Sequence, residues 1–171
     1  LGSMDRVRDR AIIVGGFSKT YAMTGWRIGF MVGPREVIDA ANKIQQTAVT
    51  CASSISQLAA LVALGSEKEI SAMREKFRAR RDLISDILSD MGVEFPRPGG
   101  AFYVFPDFSD YMRDSGRLSK LLLERGVAAT PGIAFGSRGE GHIRFSYSLS
   151  EQDIVDGMEI VKKVLREIKN S

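Results

Sequence analysis

The chain has 171 residues, enough for one ordinary domain with a real core. Its 44% hydrophobic and 26% charged content is that of a globular chain, and no apolar run approaches the roughly 20 residues of a membrane span. A net charge of +3 is too mild to argue for a nucleic-acid partner, and one cysteine, Cys51, leaves no internal disulfide and fits a reducing cytoplasm.

Leu1-Gly2-Ser3 before Met4 reads as a cloning scar, with Met4 as the intended start. The apolar run Ala11-Ile12-Ile13-Val14 stops at Gly15-Gly16, which predicts a buried strand feeding a tight turn. The segment Gly25 to Gly33-Pro34 reads as a second strand, so Lys19 and Arg27 are held between two strands. From Glu36 the spacing of Val37, Ile38, Ala41, Ile44 and Ala48 is helical. The small and β-branched run Thr47–Ser54 predicts a break there. Ser54 with Gln57, and Ser66 with Glu69, read as capping boxes. They open one helix to Leu64 and a long one to about Met91, ended by Gly92. Cys51 is expected to be a small buried hydrophobe.

The second half predicts short strands at Val93–Phe95, Ala101–Phe105, Val127–Ala129 and His142–Tyr147, the last with clean alternation. A helix over Leu118–Glu124 is stopped by Gly126, and Ser150 caps a final helix whose inner face is Ile154, Met158, Val161, Leu165 and Ile168. This is a small sheet with helices on one face. The densest basic cluster, Lys76, Arg78, Arg80 and Arg81, is interleaved with Glu75, Asp82 and Asp86 and reads as a solvated helix face.

The residues that carry chemistry are few. Gly15-Gly16-Phe17-Ser18-Lys19-Thr20 is not a phosphate-binding P-loop, because Ser18 and Ile13 stand where that motif needs glycines. His142 is the single histidine, so no catalytic triad and no histidine-based metal site can be drawn.

Ser18-Lys19-Thr20-Tyr21-Ala22-Met23-Thr24-Gly25-Trp26-Arg27-Ile28-Gly29 closely resembles the cofactor-lysine signature of class I and II pyridoxal-phosphate aminotransferases, the aspartate aminotransferase-like group. Pro98-Gly99-Gly100-Ala101-Phe102-Tyr103 resembles the same family's turn before a strand. Pro131–Gly136 and Gly141–Ser146 resemble its substrate-carboxylate segment. The resemblance implies an α/β fold: the C-terminal part of a fold-type I transferase, α+β in its small domain. Residues 5–34 would be a remnant of the large cofactor-binding domain and 35–171 the small domain with connecting helices. It also implies pyridoxal 5'-phosphate as cofactor, an amino acid and a 2-oxo acid as substrates, and a homodimer; the composition, charge and single histidine add the expectation of a cytoplasmic protein with no nucleic acid, membrane or metal partner.

By that resemblance Lys19 would hold the cofactor aldehyde as a Schiff base and then act as the proton carrier. A primary amine suits both tasks, and lysine loses its proton readily when desolvated. Arg27 would clamp the cofactor phosphate with its planar fork, with the Ser18 hydroxyl beside it. Arg144 would grip the substrate carboxylate. The family's aspartate at the pyridine nitrogen, its ring-stacking aromatic and its partners for the 3' oxygen match no residue of this chain. Two readings therefore stand: part of an aminotransferase, and a non-catalytic folded or dimerising module.

Overall fold

A computed structural model describes residues 4–170; the scar expected at Leu1-Gly2-Ser3 lies outside the described residues. Contacts divide the chain between Ala72 and Met73, whereas the domain expectation placed a boundary at 34/35.

The first unit holds a short helix α1 (Asp5–Arg8), strand β1 (Ile13–Gly16), a single helical turn α2 (Phe17–Thr20), strand β2 (Gly29–Val32), helices α3 (Arg35–Ala48) and α4 (Ser54–Leu64), and the start of α5 (Glu67–Asp90). β1 and β2 pair antiparallel, from Ile13 opposite Val32 to Gly16 opposite Gly29. The strand runs through the paired glycines rather than stopping at them. A Cβ at Gly29 would lie 2.8 Å from the Gly15 carbonyl oxygen, so that position needs glycine for the strands to close; one at Gly15 would press on the Phe30 ring, which would have to turn aside. The expected burial of the first strand is overturned: Val14 is 75% exposed, and Ile12, Ile13, Phe30 and Val32 are exposed with it. A two-stranded ribbon has no second layer to cover its faces.

The buried core of this unit is Phe17, Met23 and Ala60. Helix α4 turns its small residues inward and its large ones outward: Ser56 and Ala60 are buried, while Ile55, Leu58, Leu61, Val62 and Leu64 are exposed. The capping boxes are not formed. The N-cap of α4 is Ser53, without a side-chain cap bond, and the Gln57 amide donates to the Ala52 carbonyl at 2.9 Å. The Ser66 hydroxyl donates backward to Val62 O at 3.3 Å. Cys51 is exposed rather than buried: it lies in the break between α3 and α4, outside both buried clusters.

The second unit runs from Met73 and contains the rest of α5, then β3 (Tyr103–Val104), α6 (Ser115–Glu124), β4 (Thr130–Pro131), β5 (Ile143–Ser146) and α7 (Glu151–Lys169). Its sheet is antiparallel in the order β3-β5-β4. Ile84 and Leu88 of α5, Leu118 and Leu122 of α6, and Ile154, Met158, Val161, Val164 and Leu165 of α7 meet Val104, Ile143, Phe145 and Tyr147 in one core. The periodicity of α7 and the alternation of β5 therefore read true.

Two helices end by the same device. At α5, Gly92 N donates to Ser89 O and Val93 N to Leu88 O; at α6, Gly126 N donates to Leu123 O and Val127 N to Leu122 O. Both glycines have positive φ. This satisfies the last helical carbonyls and delivers a valine toward the core each time. It also shortens the expected strands. Val93 and Val127 spend their N–H groups on the helix exits, so only Glu94 forms a bridge, to Asp107, and the third strand begins at Thr130 instead of Val127. Among the described residues no helix is long and apolar enough to cross a membrane.

Candidate active site

Lys19 and Ser18 sit in α2, directly after β1, and Arg27 follows a 3-10 turn at Thr24–Trp26. Beyond the last strand pair, Phe17 N still donates to Ile28 O at 3.3 Å, which carries the hairpin one step further. Ser18 and Arg27 are the next residues outward on the two arms, so Ser18, Lys19 and Arg27 share one end of the hairpin. Phe17 anchors this end: it is 5% exposed and packs on Tyr21, ring centroids 4.8 Å apart. Ser18 is half-buried, while Lys19 and Arg27 are exposed.

Arg27 has φ +50° and ψ 49°, the left-handed region, which an L-residue other than glycine occupies at a cost of roughly 1–2 kcal/mol. Its Nη1 donates to the Thr24 carbonyl at 3.0 Å, curling the side chain over its own turn. A strained backbone at a charged residue is the kind of feature that accumulates at binding sites. The donor set of this hairpin end, an amine, a guanidinium and a hydroxyl, suits a group that carries both a phosphate and an aldehyde.

The second unit carries the remaining predicted residue. Arg144 lies on β5 between buried Ile143 and Phe145, so it belongs to the sheet face opposite the core. Tyr103, Thr130 and Ser146 are half-buried on the other residues of that face. With Ala128, Ala129 and Arg144 they line a depression of about 220 Å³. Thr130 pairs with Arg144 in the ladder, and Arg144 Nη2 donates to its Oγ1 at 3.3 Å. The guanidinium carbon stands 4.2 Å from the Tyr103 ring centre and 4.8 Å from that of Phe135. No carboxylate among the described residues forms an ion pair with Arg144.

Ser18, Lys19 and Arg27 are thus gathered in one unit and Arg144 stands in the other. The sequence reading singled out Arg144 but missed Tyr103, Phe135 and Thr130 as its neighbours. Tyr103 and Phe135 both lie inside the recognised motifs, and an arginine on a strand with aromatic residues nearby is the signal that was available. His142 packs just before β5, its ring stacked on Phe105 at 4.9 Å. Its Nε2 is 3.9 Å from Asp107. Burial raises the Asp107 carboxyl, but hydrogen bonds from the Ser109 hydroxyl and amide, with His142 nearby, outweigh it and leave the net shift downward.

The family profile for aminotransferase class I and II matches residues 2–161. A curated relative, the (5-formylfuran-3-yl)methyl phosphate transaminase of Methanocaldococcus jannaschii, is 44% identical over 94% of this chain and 44% of its own length. The aspartate aminotransferase of Pyrococcus abyssi is 42% identical over 99% of this chain and 44% of its own. The crystal structure of an aromatic aminotransferase from Pyrococcus horikoshii superposes with a TM-score of 0.91 at 41% identity, covering 98% of this chain and 46% of that one. The chain spans less than half the length of the relatives it matches.

Proposed function

Because the chain belongs to the class I and II aminotransferase family, with the α/β architecture of fold-type I transferases, we propose that the whole protein moves an amino group between an amino acid and a 2-oxo acid. We assign it pyridoxal 5'-phosphate as cofactor and the aspartate/2-oxoglutarate pair as substrates; an aromatic or alanine-type amino acid is the second choice. The observation that carries this reading is the hairpin end that gathers Ser18, Lys19 and Arg27, with Arg27 held in a strained left-handed conformation.

When bound, the cofactor supplies an electron sink for the charge left at the substrate Cα. Lys19 Nζ would hold the group through its aldehyde carbon and, once displaced by the substrate amine, take the proton from Cα. The Arg27 fork and Ser18 Oγ would bind the phosphate oxygens. Arg144 would fix the substrate carboxylate, which orients the Cα–H bond. The parent enzyme is assigned as a cytoplasmic homodimer. The exposed apolar face of α4 and the open faces of the β1–β2 ribbon support association of the first unit with further polypeptide.

A second reading is supported by particular features: Lys19 is exposed, and among the described residues the buried core of its unit holds three hydrophobic side chains. In that reading the 171-residue chain is by itself a non-catalytic, dimerising module of such an enzyme. One experiment separates the two. The purified chain is incubated with pyridoxal phosphate, reduced with borohydride and digested for mass spectrometry. A modification concentrated on Lys19 and lost in Lys19→Ala supports a cofactor site in this chain. Labelling spread over the surface lysines, unchanged by Lys19→Ala, refutes it.

A further inference from the structure

We propose that Tyr103 and Phe135 are positioning residues for Arg144, two aromatic rings that hold its guanidinium plane in one orientation for a carboxylate. The inference rests on the reading of Arg144 as the substrate-carboxylate residue. Both ring centres, at 4.2 and 4.8 Å, lie within the about 6 Å over which an aromatic face attracts a guanidinium. Tyr103 belongs to β3 and Phe135 to the loop after β4, the two strands that flank β5, so the two rings reach Arg144 from different elements. Contacts of this kind attract the cation without consuming its N–H groups, which stay able to hydrogen-bond. One edge reaches Thr130 Oγ1; the fork is otherwise available to a bidentate anion.

Hydrophobic burial does not account for where Phe135 stands, since the side chain remains 53% exposed. The loop around it is nevertheless built rigidly. Gly132 and Gly139 approach so closely that a Cβ on either would overlap the other's backbone, and a Cβ at Gly132 would also lie 2.6 Å from His142 O. Gly132 N donates to His142 O at 2.8 Å, Gly136 N to Ile133 O at 3.0 Å, and Ile133 N to the buried Ser115 hydroxyl at 3.2 Å. The Phe135 ring meets Phe105 edge-on at 5.7 Å, and Phe105 is itself stacked on His142. Tyr103 is fixed by its strand pairing with Ser146 and by Phe102, 4.5 Å away between ring centres. A costly loop thus presents a half-solvated ring to one guanidinium.

The test uses the 15N-labelled chain and follows the Arg144 Nε–Hε resonance, identified by its loss in Arg144→Met. Tyr103→Leu and Phe135→Leu should each speed rotation about the Nε–Cζ bond. Each should also weaken binding of the probe propionate by about two- to fivefold, the range of a partly exposed cation–π contact. Tyr103→Phe and Phe135→Tyr, which keep the ring, should restore both properties. If both leucine variants leave the rotation rate at its original value, the positioning role is overturned, even where the thermal midpoint falls. If the leucine variants free the guanidinium but Arg144→Met binds propionate as the unaltered chain does, positioning stands and the carboxylate reading fails.

Discussion

Two glycines of the second unit should respond to alanine in opposite directions. At Gly139 the added Cβ would overlap the Gly132 carbonyl oxygen and lie 2.8 Å from its carbon. Both are backbone atoms of a loop pinned by Gly132 N to His142 O, so the clash cannot be relieved by turning a side chain. Overpacking of this kind costs about 1–3 kcal/mol. At Gly157, in the middle of α7, a Cβ meets nothing within 4 Å, and replacing a helical glycine by alanine gains about 0.5–1 kcal/mol. With a urea dependence of about 1–3 kcal/mol per molar, Gly139→Ala should lower the unfolding midpoint by roughly 1 M and Gly157→Ala should raise it by a few tenths. Near-ultraviolet circular dichroism of tyrosine reports mainly this unit, since three of the four tyrosines, Tyr103, Tyr111 and Tyr147, lie in it, while Tyr21 and the single tryptophan, Trp26, lie in the other. Equal midpoints for the two variants would refute the packing argument.

Other perturbations test separate features. Ser150→Ala removes the hydroxyl that accepts from Asp153 N at 3.1 Å and should cost α7 about 1 kcal/mol, read as a lower thermal midpoint. Ser85→Ala should raise the midpoint, because the Ser85 Oγ is buried without a hydrogen-bond partner among the described residues and an unsatisfied buried hydroxyl costs about 1–3 kcal/mol. Glu140 accepts from Ser115 N at 2.7 Å, and the Ser115 backbone and side chain hold its carboxyl below the ordinary value of 4.5. A depressed carboxyl stabilises the fold above its unfolded value and loses that contribution as pH falls through the folded one. Acid unfolding below pH 4.5 should therefore be shallower in Glu140→Gln than in the unaltered chain. Tyr147 is shifted the other way: burial raises its hydroxyl above 10.0, so stability should decline as pH climbs past that value, and Tyr147→Phe should flatten the alkaline limb.

Much of the second unit was legible in the residues because its signals are local. Gly92 and Gly126 end helices, Ser150 starts one, and the alternation of Ile143, Phe145 and Tyr147 fixes which face of β5 is buried. The misreadings arose where one group had two possible partners. Gln57 and Ser66 could cap helices, yet each found a nearer backbone carbonyl. Val127 could have joined a ladder but closes a helix instead. The burial expected at Val14 failed for a different reason. Apolar residues report that a face should be covered, and a ribbon of two strands supplies no cover. For the candidate site, the chemically active residues could be recognised by motif. Tyr103 and Phe135 also lie inside those motifs, but that both rings meet Arg144 was not legible, since it depends on strand pairing and on the path of the loop that carries Phe135.

Arg27 has a consequence for comparing related chains. Its backbone favours glycine or asparagine, while its proposed task calls for a guanidinium; the two demands are opposed at one position. Ala22, Thr50 and Ala101 share such a backbone, but at position 27 phosphate binding would be a reason to keep an arginine in spite of it. In a lineage that has stopped binding phosphate, position 27 should drift to glycine or asparagine before the neighbouring glycines of the strand pair change. A related chain with glycine or asparagine at position 27 is therefore expected to have lost its phosphate grip, which titration with pyridoxal phosphate would check.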